Sequence, residues 1–230
     1  MRKKNNKMTE KGLNIREGRT YLDTHSSKGI VSFVAPAFGH SAYAKVGQEI
    51  TEAGLVQPTM KQTASLIYDA WQNPAEKYSK DIIGKLRTNW LWGFNGLLYV
   101  PKEGVYIQDR PEVQNGRVVM NQEDLVKKME SNDESVRFVP FGFKRESQSS
   151  LELAKNPFVQ ALAGEEGADK LAQVSENYKI KPFVWALENI NSPQIRVASL
   201  DSVRYFVGDR LDVYGNDWGG SNGYAFGVFE

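Results

Sequence analysis

The chain has no cysteine among its 230 residues, and this absence removes more candidate folds than any other feature of the sequence. No disulfide can staple a loop-rich scaffold, no thiolate can hold a metal, and no cysteine nucleophile is available. Packing and hydrogen bonds must hold the fold unaided. The length permits that, because a chain of this size buries most of its surface in a core. Hydrophobic residues make up 40% and charged residues 25%, the balance of an ordinary globular protein.

Charge and hydropathy exclude further classes. The net charge is +1, so no global field draws the protein to nucleic acid or to an anionic membrane, and neither partner is expected. No apolar run approaches the roughly 20 residues of a membrane helix. The first residues carry charge without a following apolar stretch, so no secretory signal is expected. Arg2, Lys3, Lys4, Lys7 and Lys11 face only Glu10 there, a local net of +4 that leaves −3 for the rest. Such a segment has little to bury. Residues 1–19 are therefore expected to form a basic flexible arm, and 20–230 a single domain.

The pattern along that domain mixes strands and helices without regular alternation, which predicts an α+β class. Gly29–Pro36 reads as an early strand. Helices are expected from Ser41 to Ala53, from Thr59 to Trp71, and from Asn73-Pro74 through Leu86. Trp90–Pro101 and Gly104–Gln108 read as paired strands, and Arg117–Met120 as a short one. A helix over 122–130 follows, capped by Asn121, then a strand over Ser135–Phe143. Ser149–Ala163 and Ala168–Tyr178 read as helices separated by a Gly-Glu-Glu-Gly turn. Five strands close the chain: Pro182–Leu187, Ile195–Ala198, Val203–Val207, Leu211–Tyr214 and Ala225–Phe229. Trp71 and Trp185 are expected in the core, and Trp90 and Trp92 on one face of a strand.

Motifs for catalysis are missing. The only histidines, His25 and His40, lie too far apart to share a helix face as metal ligands. No Gly-x-Ser-x-Gly elbow or Walker loop occurs. Gly219–Gly223 resembles a phosphate cradle but precedes no helix. Asp209, Asp212 and Asp217 match no calcium-loop spacing. No catalytic residue, metal or cofactor is expected.

The end of the chain is written differently. Residues 201–230 hold six of the twenty glycines and no lysine, and 17 of the 21 residues from Arg204 to Tyr224 are Asn, Asp, Ser, Gly, Tyr, Arg or Trp. The other four are Phe206, Val207, Leu211 and Val213. Leu211 and Val213 alternate with Arg210, Asp212 and Tyr214, so the two sets should occupy opposite faces of a strand. Tyr and Trp give large contact area with few rotors, and Ser, Gly and Asn give adaptable hydrogen bonds. This is the vocabulary of a binding surface.

In this tail the sequence resembles the variable proteins of diversity-generating retroelements, which end in a C-type lectin fold. In that family, adenines of a template are randomised, so that Asn codons become Asp, Ser, Gly, Tyr or Arg codons. Asp209, Asp212, Tyr214, Asn216, Asp217, Gly219, Gly220, Ser221, Asn222 and Tyr224 are outcomes of that process, and Trp218 can arise from a lysine codon. The resemblance implies an α+β, C-type lectin-like fold with several helices, a mainly antiparallel sheet and paired N- and C-terminal strands. It implies a non-enzymatic ligand-binding protein whose variable region spans about 204–224. The residues it points to are Arg204, Tyr205, Asp209, Arg210, Asp212, Tyr214, Asn216, Asp217, Trp218, Ser221, Asn222 and Tyr224. Their side chains should be solvent-exposed. The implied partner is a protein or glycan on a cell surface, met from a virion or a cell surface. Departures from calcium-dependent lectins are plain: there is no Cys, Ser192-Pro-Gln194 is not their ligand tripeptide, and Asn216-Asp-Trp218 has their ligand elements in another order. A small glycan-active enzyme with an Asp/Glu acid–base pair, or a structural subunit of a viral appendage, are the alternatives.

Overall fold

The computed structural model describes residues 13–16, 19–26, 29–202 and 209–229. The expected strand over Val203–Val207 lies outside these, as do Arg204 and Tyr205. Strands β1 (Leu13–Arg16), β2 (Arg19–Ser26), β3 (Gly29–Ala35) and β4 (Phe38–Ser41) come first, then helices α1 (Tyr43–Glu52), α2 (Met60–Gln72) and α3 (Lys77–Thr88). Next are β5 (Trp90–Val100), β6 (Gly104–Asp109), β7 (Val113–Gln114), β8 (Arg117–Val118), α4 (Gln122–Glu130) and β9 (Val136–Pro140). The remainder comprises α5 (Ser150–Ala154), α6 (Pro157–Ser175), β10 (Phe183–Trp185), β11 (Gln194–Asp201), β12 (Asp212–Asp217), β13 (Gly223–Ala225) and β14 (Val228–Phe229).

Local chemistry sets most of these bounds. Thr59 caps α2 in a reciprocal box with Gln62, which satisfies two backbone donors at the helix start. Asn121 accepts from the Asp124 amide and begins α4 as the sequence predicts. Pro157 occupies the first turn of α6 behind the Asn156 cap, where its missing N–H costs nothing. The expected turn between two helices is a kink inside α6 at Gly164, φ 73°. Helix α3 starts later than expected, since residues after Asn73 turn first: the Glu76 amide donates to the Asn73 carbonyl at 3.1 Å. Leu13–Arg16, inside the range expected for the basic arm, pairs with β2 in a hairpin.

The main sheet has eight strands. Its path runs β10-β12-β11-β5-β13-β4, with β6 beside β5 and β9 beside β6. Among the described residues only β10·β12 and β13·β5 are parallel pairs. A second sheet runs β1-β2-β3-β14, so the end of the chain returns to an early strand: Val228 sits opposite Phe33. Helices α2 and α6 cover one face of the main sheet, and Met60, Leu97, Phe158, Val159, Leu162, Leu171, Leu200 and Val213 share one core. Each such buried side chain contributes about 1.5–3 kcal/mol relative to exposure. Trp92 is fully buried in a separate cluster with Tyr43, Phe94 and Val197, and Trp90, half-buried, lies 6.1 Å from it.

Candidate functional site

The tail enters the sheet as β12, between β10 and β11. Leu211 and Val213 are fully buried, as the alternation predicts. Gly215 continues that inward face. A Cβ on it would run into the Phe158 ring, and the Tyr99 hydroxyl donates to its carbonyl at 2.8 Å. The strand is thus pinned by three consecutive inward positions.

The opposite face of β12 is not simply solvent-exposed. Arg210 donates from Nε to Asp212 Oδ1 at 2.7 Å, and the Trp185 indole N–H donates to the same oxygen at 3.2 Å. The guanidinium lies 4.6 Å from the centre of the Phe183 ring. Arg210 and Asp212 are buried. Burial pushes the Asp212 carboxyl up, and the neighbouring guanidinium pulls it back. Tyr214, half-buried, stacks on Trp185 with rings 6.0 Å apart and 6° from parallel, and on its other side lies 6.1 Å from Trp90. Its hydroxyl is pushed far up, first by burial and then by the Asp201 and Asp212 carboxylates. Trp185 is therefore a half-buried edge-strand residue supporting the tail, not the core residue expected. Its strand, β10, has a neighbour on one side only along the sheet path, which leaves the indole on the rim.

At the end of β12 the chain changes character. Asp217 is buried, and its carboxylate accepts from the Gly219 amide at 2.7 Å while burial raises its pKa. Gly219 takes φ 74° and its carbonyl accepts from the Tyr43 amide at 3.0 Å. A side chain there would be strained whatever the space. Gly223 is equally fixed: a Cβ would lie 2.7 Å from the Trp90 carbonyl oxygen and 2.7 Å from Trp92 Nε1. Around these anchors the chain shows its side chains. Trp218 is 76% exposed, Gly220 and Asn222 are exposed, and Asn216, Ser221 and Tyr224 are half-exposed. Tyr224 lies between the His40 ring, 5.2 Å away, and the Lys85 ammonium, 4.9 Å from its centre.

The expectation of exposure thus holds for the loop and fails for Arg210, Asp212 and Asp217. Those three polar groups are consumed inside the fold, because β12 is an inner strand with neighbours on both sides. Asp209 is half-buried and its carbonyl accepts from the Ile180 amide at 3.2 Å. Asp209, Asp212 and Asp217 form no cation cradle, and among the described residues no cluster of three or more His, Asp or Glu could hold a metal.

A groove of about 580 Å³ runs beside Trp218, along Gln194–Val197 of β11 to the β7–β8 hairpin and Tyr43. Arg196 forms its floor. Its guanidinium lies over the Trp218 ring, 3.2 Å from the ring centre, and donates to the Ile195 carbonyl at 2.7 Å and the Gln194 side chain at 2.9 Å. Sequence reasoning missed this residue, since its only signal is a charge inside an apolar strand. A larger cleft of about 860 Å³ lies between α2, α6 and β9. It holds the Arg137–Asp109 ion pair at 2.7 Å, and none of the residues predicted from the tail.

No family model and no curated protein sequence matches the chain. A solved structure does match, described under the words "Accommodation of massive sequence variation in Nanoarchaeota by the C-type lectin fold". The likeness has a TM-score of 0.56 over 84% of this chain and 95% of that one, at 16% identity. The chain has the C-type lectin fold. Its helices, mostly antiparallel sheets and returning C-terminal strand are those the tail's resemblance implied.

Proposed function

We propose that the protein is a non-enzymatic ligand-binding scaffold whose C-terminal tail presents a diversified surface, the product of a retroelement acting on its gene. One observation carries this reading. The loop Trp218–Asn222 is held at Gly219 and flanked by the fixed Gly215 and Gly223, yet turns its remaining side chains to solvent. A loop so anchored can change its side chains without moving the core, which a diversified surface requires. The similar Nanoarchaeota protein is described as accommodating massive sequence variation on the same fold, which supports the reading. Trp218, Tyr224 and Tyr214 act as aromatic contacts, and Asn216, Ser221 and Asn222 supply polar complementarity. The partner is a protein or glycan of a host or cell surface, met by a receptor-binding protein of a virion or cell.

The test is at the gene. A near-identical non-coding copy of the segment encoding the tail should lie beside a reverse-transcriptase gene, differing only at template adenines. In a natural population, codons 216, 218, 220, 221 and 222 should vary, while those for Leu211, Val213, Gly215 and Gly223 stay fixed. Variation spread evenly over both sets overturns the reading.

A further inference from the structure

We infer that the groove beside Trp218 recognises an acidic sugar, held by Arg196 and Arg117 with its ring against the groove's apolar wall. This rests on the reading of the tail as a binding surface and deepens it by naming the ligand class.

Charge carries the argument. Arg196 is 6% exposed, and among the described residues it has no carboxylate partner: its donors reach only a carbonyl and an amide oxygen, and Nε is buried with no acceptor. A buried guanidinium without a counter-ion is costly, and such residues are ordinarily paired. No Asp or Glu lines the groove, and its second charged lining residue is Arg117, also a cation. Asp217, next to Trp218, is engaged with the Gly219 amide. Arg117 stands exposed on the tip of the β7–β8 hairpin, where Asn115 and Gly116 turn the chain with positive φ and place it opposite Gln114. Two guanidinium groups facing one cavity without an acid attract an anion, and their fork geometry suits a carboxylate.

Shape selects among anionic ligands. Trp218 covers Arg196 with one face and lines the groove beside it. Ile195, Val197 and Tyr43 give the groove an apolar side, and about 580 Å³ falls within the range of small-ligand sites. An acidic peptide fits less well. The floor strand β11 is paired with β5 on one side and β12 on the other, so an extended peptide cannot add to it. The two arginines lie outside the diversified tail. They would set the charge class of the ligand, and the changeable residues would tune which member of the class binds.

The experiment is calorimetric titration of the full chain with trigalacturonate and sialyllactose, against galactotriose and lactose as neutral counterparts and pentaglutamate as a peptide. The acidic sugars should bind at least about tenfold more tightly than the neutral ones, and less tightly as salt rises. Arg117→Gln, at an exposed site that leaves folding intact, should weaken them about tenfold, as should Arg196→Gln if it folds. Equal affinity for acidic and neutral sugars, silence towards every acidic sugar, or preference for pentaglutamate overturns the inference. Trp218→Ala separates it from the reading beneath. If that variant loses binding while Arg117→Gln does not, the tail surface stands and the charge inference fails. If the reverse holds, the charge inference stands and the displayed loop is not the contact.

Discussion

Replacing Asp212 with alanine should destabilise the protein although Asp212 lies in the tail read as variable. In the folded state its carboxylate accepts from Arg210 Nε at 2.7 Å and from the Trp185 indole at 3.2 Å. Both members of the ion pair are buried, and Arg210 Nη2 already has no partner. Alanine strands the guanidinium between Phe183 and the sheet and leaves one indole donor unpaired. Removing one member of a buried pair costs about 3–5 kcal/mol. For a domain of this size that lowers the melting midpoint by about 6–20 °C. Burial raises the Asp212 pKa against the pull of Arg210, so the pair itself contributes less than its geometry suggests. The double variant Arg210→Met with Asp212→Leu should therefore recover most of the loss. Urea denaturation followed by tryptophan fluorescence measures all three. A loss below about 1 kcal/mol for the single variant would refute the assignment of this pair to the scaffold.

Three further outcomes follow from the same geometry. Trp218→Ala should change stability by no more than about 0.5 kcal/mol, because the side chain is 76% exposed; a larger loss in urea would make Trp218 part of the fold. Gly223→Ala should cost about 1–3 kcal/mol, since its Cβ meets Trp90 and Trp92 at 2.7 Å, and an unchanged melting midpoint would contradict the packing. The Glu152 carboxylate accepts from the Ser149 amide and from Lys144, which takes its pKa down from 4.5 to about 2. Its folded pKa lies below the unfolded one, so its stabilisation is present above pH 4.5 and is lost as pH falls towards 2. A carboxyl titration by NMR with a midpoint near 4.5 would remove that linkage.

Much of the fold was legible because its signals are local. Asn121 announced α4, Thr59 announced α2, and the glycines after Ala163 announced the α6 kink. The inward alternation of Leu211 and Val213 also held. What a tail residue does on its other face was not legible, because that depends on the strand's neighbours. Arg210 and Asp212 look like display residues in one dimension, yet β10 brings Phe183 and Trp185 over them. Arg196 went unread for the converse reason: 22 residues separate it from Trp218 in sequence, and only the pairing of β11 with β12 brings them together.

The tail divides into anchors and displayed positions, and one measurement tests that division most directly. Two libraries of the full chain are made, one randomised at Asn216, Trp218, Gly220, Ser221 and Asn222, the other at Arg210, Asp212, Val213, Gly215 and Gly223. The fraction of members that resist proteolysis is then counted. The first library should stay mostly folded and the second mostly unfolded. Equal folded fractions would contradict the claim that this fold frees one set of tail residues to vary while holding the other.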